Sequence, residues 1–447
     1  MSQKKLSLFD LTMIVVSLTI GMGIFRTPVV AAYKAGTPVL FFLAWLIGGL
    51  VALCGALTYA EIGSRYPVTG GYYKIFSYGY HPSLAFAINC IILVSNAGST
   101  ALVAVIGAEY LGQLFFSGAP PELFKQGITI GAVAVFYIVN LLGIKMSSRV
   151  QNALILIKIS LIILLLLSVF GKYPVAAESG SAAAPAAISW SGMLKALGTG
   201  LIAVSFTYGG YQQTINFGGD VQNPARVMPR GITYGICVII LLYLSINFVY
   251  VKVIGFESLK HADSIAAILI KHLFGPVGEN ILRVLMFLSV LAYVNVLLMS
   301  NPRVMYAMSE EGILPRAFMV KTKKHDAILW SLTAFSLAIV ITLLFTSAVE
   351  KIIDYTIFLD SIGMSTTAAC LFILRRRKIG EERNDIYRMR LFPWVPLIFI
   401  LAYVSVAFSV VLDDPHTAAY GVSIFALFFA LYFIIRRRAR IRRVPNN

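Results

Sequence analysis

The sequence predicts an all-α membrane protein with twelve transmembrane helices, and three observations predict it. Apolar stretches of about 18 to 30 residues recur from one end of the 447-residue chain to the other. Charges gather in the short connections between them. Two of the stretches are interrupted by paired glycines, at matching places in the two halves of the chain. Hydrophobic residues make up 58% and charged residues only 13%, with a mean hydropathy of +0.82, against roughly 25% charged in soluble domains. No polar window is long enough to form a separate soluble unit, so residues 1–447 read as one membrane domain.

In chain order the predicted spans are roughly residues 8–33, 37–62, 82–114, 126–144, 150–170, 193–219, 231–254, 279–308, 327–347, 351–374, 393–412 and 417–435. The first apolar run is longer than the core of a signal peptide and no small-residue cleavage site follows it, so it is expected to remain as a span. Between the second and third spans, "SRYPVTGGYYKIFSYGYHP" is too polar and turn-rich to cross. Two placements fit its tyrosines: along the interface, or re-entering between helices. The Ala/Ser/Pro-rich stretch "KYPVAAESGSAAAPAAISW" has little to bury and is expected to be a flexible tether after the fifth span. In "GFESLKHADSIAAILIKHLFG", Ile265, Ile268, Leu269 and Leu273 suit a short amphipathic helix, covering an outer vestibule or lying on the surface.

The net charge of +17 sits in alternate loops: Lys4 and Lys5, Arg65 and Lys74, Lys145 and Arg149, Arg226 and Arg230, Arg316 to Lys324, Arg375 to Arg390, and Arg436 to Arg443. That alternation is the positive-inside pattern and puts both termini in the cytoplasm of a multi-pass cell-membrane protein, with 436–447 as a basic tail. The clusters "RRRK" and "RRRARIRR" are expected to fix orientation and meet anionic membrane lipid, not nucleic acid. Cys54, Cys90, Cys237 and Cys370 lie in apolar segments without CxxC spacing and read as packing residues. His81, His261, His272, His325 and His416 fall in loops or at span ends with no HExxH, so no metal or other cofactor and no intramembrane enzyme is expected.

The first break is "TIGMGIF", with Gly21 and Gly23; the second is "SFTYGGYQQTINFGGD", with Gly209 and Gly210. Each glycine costs about 1 kcal/mol relative to alanine in a helix interior, where lipid offers the backbone no other partner. With five spans before the tether and five after it, the two halves run in opposite senses, as inverted repeats of about 8–170 and 193–374. Unwinding frees N–H groups at the start of one half-helix and carbonyls at the end of the other. The first attract an anion and the second a cation. An amino acid zwitterion carries both charges on neighbouring atoms. Pro28, shortly after the first break, is expected in a new helical first turn.

These segments carry a resemblance. "IGMGIF", "FTYGGYQQTINFGGDVQNPARVMPRGI" and "NPRVMYAMSEEGILP" resemble the first-, sixth- and eighth-span signatures of the amino acid-polyamine-organocation (APC) superfamily, nearest to its L-type amino acid transporter-like branch. "EIGSRYPVTGGYY" and "GIKMSSRVQNALILIKIS" are similar to its loop after span two and its fifth span. The resemblance implies a LeuT-type 5+5 inverted repeat with broken helices 1 and 6, two peripheral helices near 393–435, and alternating access. It also implies that substrate carboxylate meets the backbone of Gly21, Met22, Gly23 and Ile24, and that the ammonium meets carbonyls near Thr19, Ile20, Phe206 and Tyr208. Phe206 becomes an aromatic gate; Tyr208, Gly209 and Tyr211 shape the side-chain pocket. Two departures stand out. Met22 occupies a place where the family usually has a small residue such as Ser, which leaves side-chain preference open. Arg26 follows the break, and either disfavours cationic substrates or snorkels outward.

Lys158 stands alone in "NALILIKISLIILLLL", and an ionisable group inside a span is a functional candidate by default. Its ammonium is expected to reach carbonyls freed by the first break and to replace a coupling sodium ion; the resemblance adds that the same lysine position recurs in sodium-independent members of the family. Asp354 and Asp360 are six residues apart and point to different helix faces, so local hydrogen bonding is expected of them. The resulting expectation is secondary transport of L-amino acids, neutral by default because no acidic residue in the two broken segments is placed to hold a cationic side chain, Asp220 capping the inner end of the sixth span. Cationic amino acids or polyamines are the runners-up; a channel or a non-transporting nutrient receptor are the alternatives of another class. Sequence is silent on exchange against proton symport and on a partner subunit.

Overall fold

The computed structural model describes residues 5–21, 23–171, 190–262, 264–344, 346–382, 385–413 and 415–441. The expected tether lies outside them at 172–189, as do the side chains of Phe206 and Asp354 and the whole of Met22. Within the described residues helix follows helix and the only strand-like features are isolated bridges. In order these helices are α1 (Leu8–Thr19), α2 (Gly23–Ala35), α3 (Pro38–Arg65), α4 (Gly71–Gly79), α5 (Pro82–Gly112), α6 (Glu122–Leu141), α7 (Ile144–Leu166), α8 (Trp190–Thr207), α9 (Pro224–Ile254), α10 (Phe256–Leu259), α11 (Ile265–Phe274), α12 (Gly278–Glu310), α13 (Leu329–Leu343), α14 (Thr346–Arg376), α15 (Trp394–Asp413) and α16 (Pro415–Ile441).

Among the described residues, nine helices are long and apolar enough to cross a membrane, and ten crossings result when α1 and α2 count as one span bent by 47°. This is a multi-pass membrane protein. The sixth and ninth predicted spans contain shorter apolar helices, Ala196–Ser205 within α8 and Leu329–Leu343 as α13. The sixth also changes character: beyond Thr207 the chain continues in 3-10 turns at Tyr211–Asn216 and Gly218–Asp220, not as α-helix.

Local chemistry explains where the first pieces start and stop. Ser7 and Asp10 form a reciprocal capping box: the Ser7 hydroxyl accepts from the Asp10 N–H at 3.2 Å and the Asp10 carboxylate accepts from the Ser7 N–H at 2.9 Å. Thr37 caps α3 ahead of Pro38 at its first position. At the other end of α1, Ile20 leaves helical geometry (φ −77°, ψ 86°) while its N–H still reaches the Val16 carbonyl at 2.8 Å. Pro28 corrects an expectation, since α2 begins at Gly23 and Pro28 lies inside it. Lacking an N–H, it leaves the Ile24 carbonyl without its i+4 donor, and the Tyr250 hydroxyl lies 3.5 Å from that oxygen.

The core forms where α1 packs on α7 and α9, α2 on α8, α3 on α9, and α5 on α12. The stretch between the second and third spans folds as α4 with Tyr72, Tyr73, Ile75 and Phe76 buried against α5 and α14, so it inserts between helices. The amphipathic segment forms α11, which buries Ile265, Leu269 and Ile270 and packs on α12.

The end of the bundle that carries the basic loops is tied by ion pairs. Lys145 holds Asp10 at 2.5 Å and Arg303 holds Asp220 at 2.7 Å. The backbone of Leu6 exchanges hydrogen bonds with Asp220 and Gln222 at 2.8 and 3.0 Å. Glu61, fully buried on α3, accepts from Arg65 at 2.7 Å, from Arg375 at 2.8 and 2.7 Å, and from the Met389 N–H at 2.9 Å. Arg375 therefore does more than orient the chain: it is the partner of a buried carboxylate, which the basic run alone did not reveal.

Candidate functional site

The two breaks meet. Gly210, at φ +106°, packs so closely on the end of α1 that a Cβ there would collide with the Leu18 carbonyl oxygen, which explains why the chain holds glycine at that point. Gly21 has open space where a side chain would stand, and that space is a cavity of about 250 Å³. Thr19, Gly21, Gly23, Ser205, Thr207, Gly209 and Gly210 line one side of it. Leu18 of α1, Gln212 and Gln213 of the 3-10 turn, and helices α5, α12, α14 and α15 supply the rest, the helices contributing Ser95, Asn96, Tyr293, Asp360 and Tyr403 among others.

Of the expected site residues, Thr19, Gly21, Gly23 and Gly209 border this cavity. Ile20 and Ile24 are buried beside it. Tyr208 and Tyr211 pack into the aromatic core: the Tyr208 ring lies 5.9 Å from Trp45 and 5.1 Å from Tyr243, and the Tyr211 ring 6.1 Å from Tyr59. Phe206 sits on the last turn of α8. Lys158, buried on α7, donates from Nζ to the Ile20 carbonyl at 2.7 Å. A charge-assisted bond to a carbonyl freed by the break fits the reach expected of that ammonium. The network continues along α7, where Gln151 donates to Ser17 at 2.5 Å and to the Ala292 carbonyl at 3.0 Å, and accepts from Asn295 at 2.6 Å. These bonds fix α1 against α7 and α12 just below the break.

Sequence reasoning missed two residues here. The Tyr243 hydroxyl, on α9, lies 3.2 Å from both the Thr19 and the Thr207 carbonyls, the last residues of α1 and α8. One aromatic among 22 tyrosines carries no sequence mark of that position. Asp360 corrects the expectation of local hydrogen bonding: its side chain lines the cavity and makes no hydrogen bond or ion pair with a described residue. Its place in an apolar span was a signal, but its facing could not be read without the packing. Thr19 Oγ1, also bordering the cavity, is buried without a hydrogen-bond partner among the described residues. Among those residues no cluster of three His, Cys, Asp or Glu side chains is placed to hold a metal.

The site thus offers the backbone of the two breaks, hydroxyls, side-chain amides and a single carboxylate, in a volume below the roughly 300–1,000 Å³ of pockets for drug-sized ligands. It suits a small dipolar molecule. Residues 6–437 match the amino acid permease family model. The chain is 29% identical over 444 residues to the serine/threonine exchanger SteT of Bacillus subtilis (strain 168), covering 96% of each. It is 27% identical over 419 residues to solute carrier family 7 member 12 of Mus musculus, covering 92% of this chain and 87% of that one. With the large neutral amino acids transporter small subunit 2 of Rattus norvegicus it shares 25% identity over 438 residues, 97% of this chain and 80% of that one.

Proposed function

The chain belongs to the amino acid permease family, and from that premise we propose that it is a sodium-independent carrier of small neutral L-amino acids, working by exchange or proton coupling through alternating access. It is a transporter and not an enzyme. The observation that carries the mechanism is Lys158 on the Ile20 carbonyl at 2.7 Å. A resident ammonium at carbonyls freed by the break supplies the positive charge that a bound sodium ion would otherwise bring.

In this proposal the cavity between the two breaks is the substrate site. The substrate carboxylate meets the N–H groups around Gly21 to Ile24, and its ammonium meets carbonyls near Thr19, Ile20, Phe206 and Tyr208. Phe206 covers it. The proposal further holds twelve crossings in a 5+5 inverted repeat within one transport domain, 1–447, placed in the cell membrane with both termini cytoplasmic; the alternating basic loops support that orientation. Opening toward the cytoplasm would break the Asp10–Lys145 pair, which joins the start of α1 to α7, and the Asp220–Arg303 pair, which joins the turn at Gly218–Asp220 to α12.

The test is uptake into liposomes containing the purified protein, preloaded or empty, with a panel of labelled neutral, cationic and acidic amino acids and with or without a pH gradient. We expect saturable uptake of neutral amino acids that preloaded substrate or an inward proton gradient accelerates, and that is indifferent to sodium. Flux that does not saturate would turn the reading into a channel. Absence of any flux, with binding retained, would turn it into a receptor.

A further inference from the structure

We propose that Asp360 forms a side-chain subsite of the central cavity, selecting amino acids whose side chain donates a hydrogen bond, such as a hydroxyl, and disfavouring their aliphatic isosteres. This rests on the substrate-site reading above and adds to it the part of the substrate that is recognised.

The lining divides by chemistry. On the side of the breaks it consists mainly of backbone and hydroxyl groups, which suit the ammonium and carboxylate common to all amino acids. Asp360 stands on a different wall, on α14, which packs against α5 and α15. It is the only charged side chain among the described residues lining the cavity. Asp360 is half-buried and faces the cavity with no hydrogen-bond partner among the described residues, and a carboxylate so placed at membrane depth lacks the donors that open water would give it. Chain groups around it do not supply the partner. Tyr403 and Tyr293 line the same cavity near enough to feel its charge, yet the Tyr403 hydroxyl is directed to the Ser205 carbonyl at 3.5 Å. Lys158 is committed to Ile20 at 2.7 Å. A donor that arrives with the substrate completes the carboxylate; a methyl group in its place buries it unpaired. Binding pockets built to hydrogen-bond a ligand reject the analogue that lacks the donor more strongly than apolar pockets reject an added one.

L-Threonine and L-valine are near-isosteres that differ by hydroxyl against methyl, which makes them the probe pair. In proteoliposomes of the full chain, we expect threonine to compete with labelled substrate at least about tenfold better than valine, the ratio that a hydrogen bond to a charged group of about 1.5 kcal/mol gives. Asp360→Ala should bring the ratio to about one, and Asp360→Asn, which keeps an acceptor without the charge, to an intermediate value. A wild-type ratio near one, or a ratio that survives Asp360→Ala, overturns the subsite. So does equal loss of both amino acids in a monodisperse Asp360→Ala protein, since that places Asp360 in a step common to every substrate. If the alanine variant does not fold, thermal stabilisation of the wild-type protein by each amino acid decides: threonine should raise the melting temperature at concentrations where valine does not, and equal shifts overturn the proposal. Failure of the wild type to carry or bind any amino acid would instead overturn the substrate-site reading beneath it.

Discussion

The basic end of the bundle and the cavity at its middle treat buried charge in opposite ways. At the basic end, Glu61, Asp10 and Asp220 each meet a cation of the chain within 2.8 Å. In the cavity, Asp360 and Thr19 Oγ1 face no protein partner among the described residues. Contacts of the first kind decide which conformation is held. Groups of the second kind have no complement among the described residues, and the proposed binding site rests on them. Removing a partner should therefore damage folding at one place and recognition at the other.

The largest effect is expected where the two regions depend on one contact. Gly210→Ala introduces a Cβ at positive φ against the Leu18 carbonyl, and should reduce counterflow below about a tenth of wild type while lowering the yield of monodisperse protein. Normal transport by that variant would show that the breaks need not touch. Next comes Glu61→Gln, which removes the buried carboxylate that joins Arg65 to the half-buried Arg375; we expect a loss of about 3 kcal/mol, seen as a lower melting temperature, with substrate preference unchanged. A shifted preference would blur the distinction between the regions. Lys158→Gln removes a charge-assisted bond of about 1.5–3 kcal/mol and should slow uptake about tenfold or more and alter its response to a pH gradient, while the melting temperature moves less than in Glu61→Gln. Unchanged uptake would reduce Lys158 to a structural tie. The smallest effect belongs to Tyr243→Phe, where one neutral hydrogen bond of about 0.5–1.5 kcal/mol is lost; a several-fold change in uptake is expected with little change in melting.

Much of this arrangement can be read along the chain. Helices follow from runs of apolar residues because lipid forces each span to satisfy its own backbone, and the breaks show because glycine pairs are costly there. Lys158 stands out for the same reason. What escapes is anything set by which helix faces which. Asp360 and Asp354 look alike in sequence, yet it is the packing of α14 on α5 and α15 that turns Asp360 into the cavity. Arg375 sits in a run that orientation alone would explain, and its union with Glu61 spans 314 positions of sequence. Gly209 and Gly210 announce that the helix stops after Thr207, but not that residues 211–216 continue as a 3-10 turn, since they carry neither proline nor glycine.

Tyr243 offers one proton to two oxygens, each 3.2 Å away. A hydroxyl hydrogen points at one acceptor at a time, so the ends of α1 and α8 compete for it; the Thr19 carbonyl also accepts from the Gly21 N–H at 2.9 Å, and the Thr207 carbonyl can take another donor. In the proposed binding mode, the ammonium of an arriving amino acid is such a donor. Its arrival would end the competition, and its departure renew it, making this phenol a place where filling and emptying of the site are felt by both broken helices at once.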